Sequence, residues 1–128
     1  MNKKHETYCD YNLINLLTKS GFNWIKYSVV NSLYDKDFHW EIPLHIAQKW
    51  LREVKKCYVS IVADCDSIGV FYHTRIIYYD TDNNYHATYV WEETELERVK
   101  HRAIFDNYEE ALEAGIKKAL EIILEKGE

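Results

Sequence analysis

The sequence predicts an α+β fold: a three-stranded antiparallel sheet with two helices on one face, preceded by an N-terminal helical extension. Three observations carry this. Residues 57–93 hold three runs of β-forming residues separated by turn signals. Two stretches of helical period, 43–56 and 107–126, bracket those runs. The chain has 128 residues, enough for one domain that buries about two thirds of its unfolded surface. The expected division is a single domain, 1–128, in which 1–42 packs as an extension on a 43–126 core of order helix, strand, strand, strand, helix. A three-stranded meander with both helices on one side is the simplest way to bury both apolar stripes.

At the start of the chain, Asp10 stands where an N-cap belongs, Leu13, Leu16 and Leu17 share a face, and Gly21 fits a C-terminal glycine. A short helix follows from these positions. Residues 22–42, FNWIKYSVVNSLYDKDFHWEI, are less regular: WIKYSVV has the composition of a strand and YDKD that of a turn. Pro43 is tolerated in a first helical turn, because the N–H it lacks would be unpaired there. In PLHIAQKWLREVKK, Ala47, Trp50, Leu51 and Val54 recur at the spacing of one buried stripe. Lys55 and Lys56 close the helix at the negative end of its dipole.

Of the strands, CYVSIVA (57–63) is rich in β-branched residues and DCDSIG (64–69) breaks it. VFYHTRIIYYD (70–80) and YHATYVWEE (85–93) flank TDNN, a hairpin loop. Placing Asp80 opposite Tyr85 sets His86 against Tyr79. TELERVKHRAI (94–104) reads equally as a solvated turn, a short helix or a strand extension. In the closing helix, Asn107 and Glu110 have the spacing of a capping box. Tyr108, Leu112, Ile116, Ala119, Leu120 and Ile123 form its buried stripe. Ala111, Gly115 and Ala119, four apart, predict a flat strip lying close to the sheet. Glu109 and Glu110 suit the positive helix end, and Glu113 with Lys117 makes a favourable pair one turn apart.

Composition excludes several function classes. Residues 1–91 carry ten basic and ten acidic side chains, whereas 92–128 carry six and eleven, so the whole net charge of −5 lies at the C-terminal end. Proteins that grip nucleic acid by its phosphates show the opposite bias, which argues against a nucleic-acid partner. Three cysteines, Cys9, Cys57 and Cys65, are too few for a disulfide framework. MNKKHETYCDYN has no apolar run behind its lysines, so it reads as no signal peptide, and no stretch approaches the roughly 20 apolar residues of a membrane span. A cytoplasmic protein without a membrane partner is the expectation.

Catalytic, cofactor and metal motifs are equally thin, and none is assigned. The histidines at 5, 39, 45, 73, 86 and 101 and the cysteines show no C-x-x-C or H-x-x-x-H spacing. Asp80, Thr81, Asp82, Asn83 and Asn84 have the look of a calcium loop, but Tyr85 and Trp91 stand where its glycine and its closing glutamate belong. Cys65 lies between Asp64 and Asp66, whose charge opposes formation of a thiolate. The four glycines, at 21, 69, 115 and 127, are scattered and form no phosphate loop. Carboxylates are plentiful, and an enzyme using them in a pocket stays open as a third reading.

Aromatic residues are the unusual feature, with eleven Tyr, four Trp and four Phe making 15% of the chain. Strand alternation sends Phe71, His73, Arg75, Ile77 and Tyr79 to one face and Val70, Tyr72, Thr74, Ile76 and Tyr78 to the other. Neither set is polar, so both faces are expected to be covered, one by helices and the other by 1–42 or a second subunit. Tyr72, Tyr78, Tyr79, Tyr85, Tyr89 and Trp91 are the candidate interaction surface. Tyrosine's preference for strands accounts for them without any function. A homodimer contact, an unknown protein partner or a stacking platform for unpaired bases are the functional readings.

Three resemblances bear on this. The helix–strand–strand–strand–helix order resembles the double-stranded-RNA-binding domain, whose last helix begins with a lysine cluster. Here that position reads DNYEEALE, and Asp106, Glu109, Glu110 and Glu113 would repel phosphates. Lys49, Arg52, Lys55 and Lys56 on the 43–56 helix form a solvated basic face instead. Taken together, QKWLREVKKCYVSI, the aromatic hairpin and YEEALEAGIKKALEII resemble a family of small uncharacterised proteins of gut Bacteroidetes and their phages and mobile elements. That likeness spans 43–126 and implies a cytoplasmic α+β accessory protein, with no catalytic or binding residue to carry over. Lastly, YEEALEAGIKKALEII is similar to a helix of HicB-type antitoxins, although VWEETELERVKHRAIFD lacks their proline- and glycine-containing strand segment. The function expected is that of a non-enzymatic interaction protein, with a nucleic-acid-associated or antitoxin-type module as the alternative.

Overall fold

The computed structural model describes residues 8–22, 29–30, 40–80, 82, 84–93 and 100–125. Three helices and a three-stranded antiparallel sheet make this an α+β protein, in the element order that the sequence predicts. The first helix, α1 (Tyr11–Lys19), starts at Asp10, whose carboxylate accepts the N–H of Leu13 at 2.9 Å. It stops at Gly21, where φ is +92°: the N–H of Gly21 reaches Thr18 and that of Phe22 reaches Leu17. This is the closure for which a left-handed residue is needed and for which glycine carries no steric cost. Val29–Val30 (β1) pairs with Trp40–Glu41 (β2) in a small antiparallel ladder. The rest of WIKYSVV, and all of YDKD, lie outside the described residues.

Helix α2 (Leu44–Val54) takes Pro43 as its N-cap, in extended conformation, rather than inside its first turn. Ala47, Trp50 and Leu51 are buried as the stripe requires, but Val54 is exposed and Leu44 is buried in its stead. The last three residues of the helix, Arg52, Glu53 and Val54, face solvent. Lys56, with φ +56°, then turns the chain into the sheet, and the N–H of Cys57 is held by the carbonyl of Leu51.

The sheet has the order β3 (Tyr58–Cys65), β4 (Val70–Tyr79), β5 (Tyr85–Tyr89). Asp64 and Cys65 belong to β3, so the break expected over 64–69 begins only at Asp66. That carboxylate accepts the N–H groups of Ile68 and Gly69, and these two bonds hold it below the ordinary carboxylate range. The β4–β5 turn is shorter by one residue than the sequence suggests. Asp80 pairs with Asn84, and its side chain accepts the N–H groups of Asp82 and Asn84. Tyr79 therefore faces Tyr85, and His86 faces Tyr78 instead of Tyr79. Since side chains alternate, this single step decides which face each β5 residue occupies.

YHATYVWEE does not continue as one strand. After the N–H of Val90 bonds Thr74, the chain leaves the sheet as β6 (Trp91–Glu93) and returns as β7 (Lys100–Arg102). The N–H of Ala103 bonds the carbonyl of Val90, and Phe105 exchanges both main-chain bonds with Tyr72. The path of β5 along β4 is thus resumed by residues 103–105. The ambiguous stretch 94–104 ends in strand, and its residues 94–99 lie outside the described set.

The closing helix, α3 (Tyr108–Glu125), is capped by Asn107, whose side chain accepts the N–H of Glu110 at 2.8 Å. Leu112, Ile116, Ala119, Leu120 and Ile123 are buried. Tyr108, the expected first member of the stripe, is exposed, its ring edge-on to Tyr72 at 6.3 Å. It sits in the first turn, before the helix has reached the sheet. Farther along, α3 lies against β3 and β4 at close range. Ala111, Gly115 and Ala119 are all buried, and a Cβ on Gly115 would stand 2.5 Å from Thr74 Cγ2 and 2.6 Å from Val59 Cγ1. The Thr74 hydroxyl donates to the carbonyl of Ala111 at 2.8 Å.

Both other helices pack on α3, and all three lie on one side of the sheet. Leu13 and Leu17 of α1, Phe22 and Ile42 join Trp50, Leu51, Ile76 and Leu120 in one core. Phe22 meets Trp50 edge to face at 5.3 Å. The described part of 1–42 thus thickens the helix layer instead of covering the opposite face. No helix among the described residues is long and apolar enough to cross a membrane.

Candidate functional site

Register sorts the six candidate aromatics onto two faces. Directly opposed residues of an antiparallel pair share a face, so the helix side receives Val59, Tyr72, Thr74, Ile76, Tyr78, His86 and Thr88. The other side receives Tyr58, Phe71, His73, Arg75, Ile77, Tyr79, Tyr85, Ala87 and Tyr89. Tyr72 and Tyr78 are therefore half-buried on the helix side, Tyr78 packed against the core and stacked on His86 at 5.5 Å. Tyr79, Tyr85 and Tyr89 stand together on the far side. Trp91, just beyond the point where β5 ends, joins them through an edge contact with Tyr89 at 5.7 Å. The structure gathers four of the six on or beside the far face as two touching pairs, Tyr79 with Tyr85 and Tyr89 with Trp91, and places two on the helix side.

On this far face, among the described residues, no helix is packed, and β7 reaches it through Arg102. Tyr79 and Tyr85 meet edge-on at 4.7 Å and remain 39% and 55% exposed, and Trp91 is 44% exposed. The Arg102 guanidinium sits 4.0 Å above the Tyr89 ring, a cation–π contact that holds the returning β7 strand over β5. In the middle of the face lies His73, 8% exposed, tilted toward Tyr89 with ring centroids 6.2 Å apart. Its Nδ1 has no hydrogen-bond partner. A buried nitrogen in that condition costs about 1–3 kcal/mol relative to a satisfied one. Sequence reasoning overlooked His73; its place at mid-strand among aromatic neighbours was the available signal.

A second cluster lies on the helix side. Asp10, Glu110, Glu113 and Lys117 line a cleft of about 420 Å³ between the start of α1 and the first turns of α3, with Asn12, Leu13, Phe105 and Ala114 completing its wall. Partial burial raises the pKa of Glu113, the charge of Asp10 and a hydrogen bond shared with it raise it further, Glu110 adds to this, and Lys117 opposes. Here carboxylates converge, a question that the sequence left open, because it takes the docking of α1 on α3 to unite them. One oxygen of Asp10 is committed to capping α1. The cluster can share a proton. Among the described residues no Ser, Thr, Cys or His stands in the cleft wall, and no three His, Cys, Asp or Glu side chains converge as a metal site.

The remaining chemical groups are spoken for. Burial pushes the Cys57 thiol up to about 12, and burial together with Asp10 and Glu113 does the same to Cys9. Both are inert packing residues at neutral pH. His86 pairs with Asp80 at the hairpin. Desolvation works against ionising Asp80, but the Asn84 N–H, His86 and the Asp82 N–H together outweigh it and lower its pKa. The would-be calcium loop is thus a self-capped turn. His73 and His86 lie on opposite faces, opposed to Val62 and Tyr78 respectively.

Fold and site together define a small α+β protein with one helix-covered sheet face and one aromatic face. Compared with protein-family models, with curated proteins and with solved structures, the chain gives no match.

Proposed function

We propose that this is a non-enzymatic, cytoplasmic interaction protein whose binding surface is the far face of its sheet, centred on Tyr79, Tyr85, Tyr89 and Trp91. One observation carries the reading: two pairs of touching, partly exposed aromatic rings, Tyr79 with Tyr85 and Tyr89 with Trp91, on or beside a sheet face that, among the described residues, no helix covers. Contiguous exposed apolar area of this kind marks contact surfaces, and Tyr and Trp supply contact energy at low entropic cost. The partner is taken to be a protein.

Site-specific photocrosslinking in the native host tests the proposal. A photoreactive residue at position 85 is expected to capture a discrete protein partner that the same residue at position 121, on α3, does not. Trp91→Glu is expected to abolish the capture while leaving the circular dichroism spectrum intact. Equal capture from both positions, or capture that survives Trp91→Glu, would overturn it. Nucleic acid captured from position 85, released as salt rises, would replace it with the RNA-binding alternative.

A further inference from the structure

The outer edge of β3 has a pattern that the aromatic face does not explain. On β4, Tyr72 exchanges its main-chain bonds with Phe105, and the carbonyl of Thr74 accepts from Val90. Residues 72 and 74 therefore turn their main chain toward the β5 side, and Phe71, His73, Arg75 and Ile77 turn theirs toward β3. Their partners on β3 are Asp64, Val62, Ser60 and Tyr58. By alternation, Val59, Ile61, Ala63 and Cys65 point their main-chain groups outward, along the free edge of the three-stranded sheet.

Two side chains close the ends of that edge. Gln48 Nε2 donates to the carbonyl of Val59 at 2.7 Å, and the N–H of Cys65 donates to its neighbour Asp64 at 2.8 Å. Between these caps, the outward N–H and C=O groups of Ile61 and Ala63 bond to no other described residue. An edge left open over two residues and stopped at both ends accepts a short strand that is stopped in the same way. The open groups are also arranged symmetrically about Val62, which is 37% exposed.

We infer that two copies of this chain pair antiparallel through β3, about a twofold axis at Val62, into one continuous sheet. Ile61 of each copy lies opposite Ala63 of the other, and each such pair exchanges both N–H···O=C bonds, using the outward groups of both residues. A bulky residue meets a small one in both pairs. On the far face, Ser60 of one copy stands opposite Asp64 of the other. Arg75 flanks Ser60 on the opposite side, so each row reads Arg75, Ser60, Asp64 across the junction, and the small serine lets opposite charges approach. Moving the axis by one residue, to Ile61 or Ala63, sets Asp64 against Tyr58 or Val62 and loses this complementarity. With a twofold perpendicular to the sheet, the two aromatic faces lie side by side. The inference stands on main-chain geometry and does not depend on what binds the aromatic face.

Sedimentation velocity over a concentration series, joined to amide hydrogen exchange, tests it. The chain is expected to move from the monomer mass of 15.4 kDa to twice that value. Exchange at the amides of Ile61 and Ala63 is expected to slow in step with dimerisation. Val62→Asp places like charges across the axis, and Ala63→Pro removes only an outward N–H; each is expected to weaken dimerisation roughly tenfold or more. Asp64→Arg is expected to do the same, and adding Arg75→Asp to restore pairing, a rescue that a merely misfolded variant would not show. A chain that stays monomeric throughout overturns the inference, as does a dimer that all three single variants preserve, or one that leaves the amides of Ile61 and Ala63 unprotected. A dimer that persists in Trp91→Glu, when crosslinking from position 85 is lost, separates this surface from the aromatic one.

Discussion

Within the single strand β4, Thr74 and Ile76 are sealed against α3, while Tyr79 on the other face keeps more than a third of its surface in water. Both faces carry aliphatic and aromatic side chains, so their presence alone does not distinguish them. Fit does. The helix side owes its closeness to a strip of small residues, Ala111, Gly115 and Ala119, against which Thr74 and Val59 are pressed without room for one added carbon. The far side presents large rings that meet one another edge-on and, among the described residues, no such counterpart. A face closed within the fold is therefore recognised by complementary shape as well as by apolar composition.

The sharpest way to break this contrast is a pair of truncations on neighbouring residues. Ile76→Ala is expected to cost about 2–5 kcal/mol by urea unfolding, as for a fully buried aliphatic side chain. Ile77→Ala, half-buried on the far face, should cost well under half of that; equal costs would mean that the far face is closed too. Next in size is Gly115→Ala. The added methyl meets Thr74 and Val59, and overpacking of this kind costs about 1–3 kcal/mol, offset in part by alanine's better helix propensity of about 1 kcal/mol. A stabilised variant would show that α3 can lift off the sheet without penalty.

Smaller effects test the bonds that locate α3. Asn107→Ala removes the cap on Glu110 and is expected to cost about 1 kcal/mol, and Thr74→Val, which loses the bond to Ala111, about as much. Both are read as shifts in the unfolding midpoint. The smallest effect concerns the rim of the helix layer. Glu113 has a raised pKa in the folded state, so the folded protein holds its proton more tightly than the unfolded chain does. Its contribution is complete below the unfolded pKa and is lost as pH rises through the folded value. Glu113→Gln is thus expected to be neutral in acid and more stable than the parent near pH 7, by a few tenths of a kcal/mol given the exposure of the group. A variant less stable at neutral pH would place Glu113 in a favourable ion pair.

The sequence made some of this legible and hid the rest for definable reasons. Where a signal was local it held: Asp10 and Gly21 bound α1, Asn107 caps α3, and the spacing of Ala111, Gly115 and Ala119 foretold close packing. Val54 and Tyr108 kept the helical period and yet face water, because periodicity does not reveal where the underlying surface ends. The register of β5 turned on one hydrogen-bonded closure, Asp80 with Asn84, that competes evenly with its neighbour in the sequence. The split at Val90 depends on Ala103, whose N–H bonds it from thirteen residues later, and on Phe105, which takes up the pairing with Tyr72; no local pattern announces either. The cluster of Asp10 with Glu110 and Glu113 required two helices distant in sequence to meet. The parity of the β4 aromatics was readable; that of Tyr85 and Tyr89 was not, because it turned on the one-residue shift at the Asp80–Asn84 closure.

The excursion that begins at Val90 has a further meaning. The bond from Ala103 to Val90 ties its base, and the strand it interrupts resumes at Phe105 as though uninterrupted. The β6–β7 ladder extends from that closed neck, and Trp91 and Arg102 alone bind it back onto β5 among its described side chains. Beyond those two side chains, a change of length in the excursion leaves the pairing of β4 with Phe105 in place. The fold contains a built-in socket, and an inserted peptide or domain would emerge there beside Tyr89, at the border of the aromatic face.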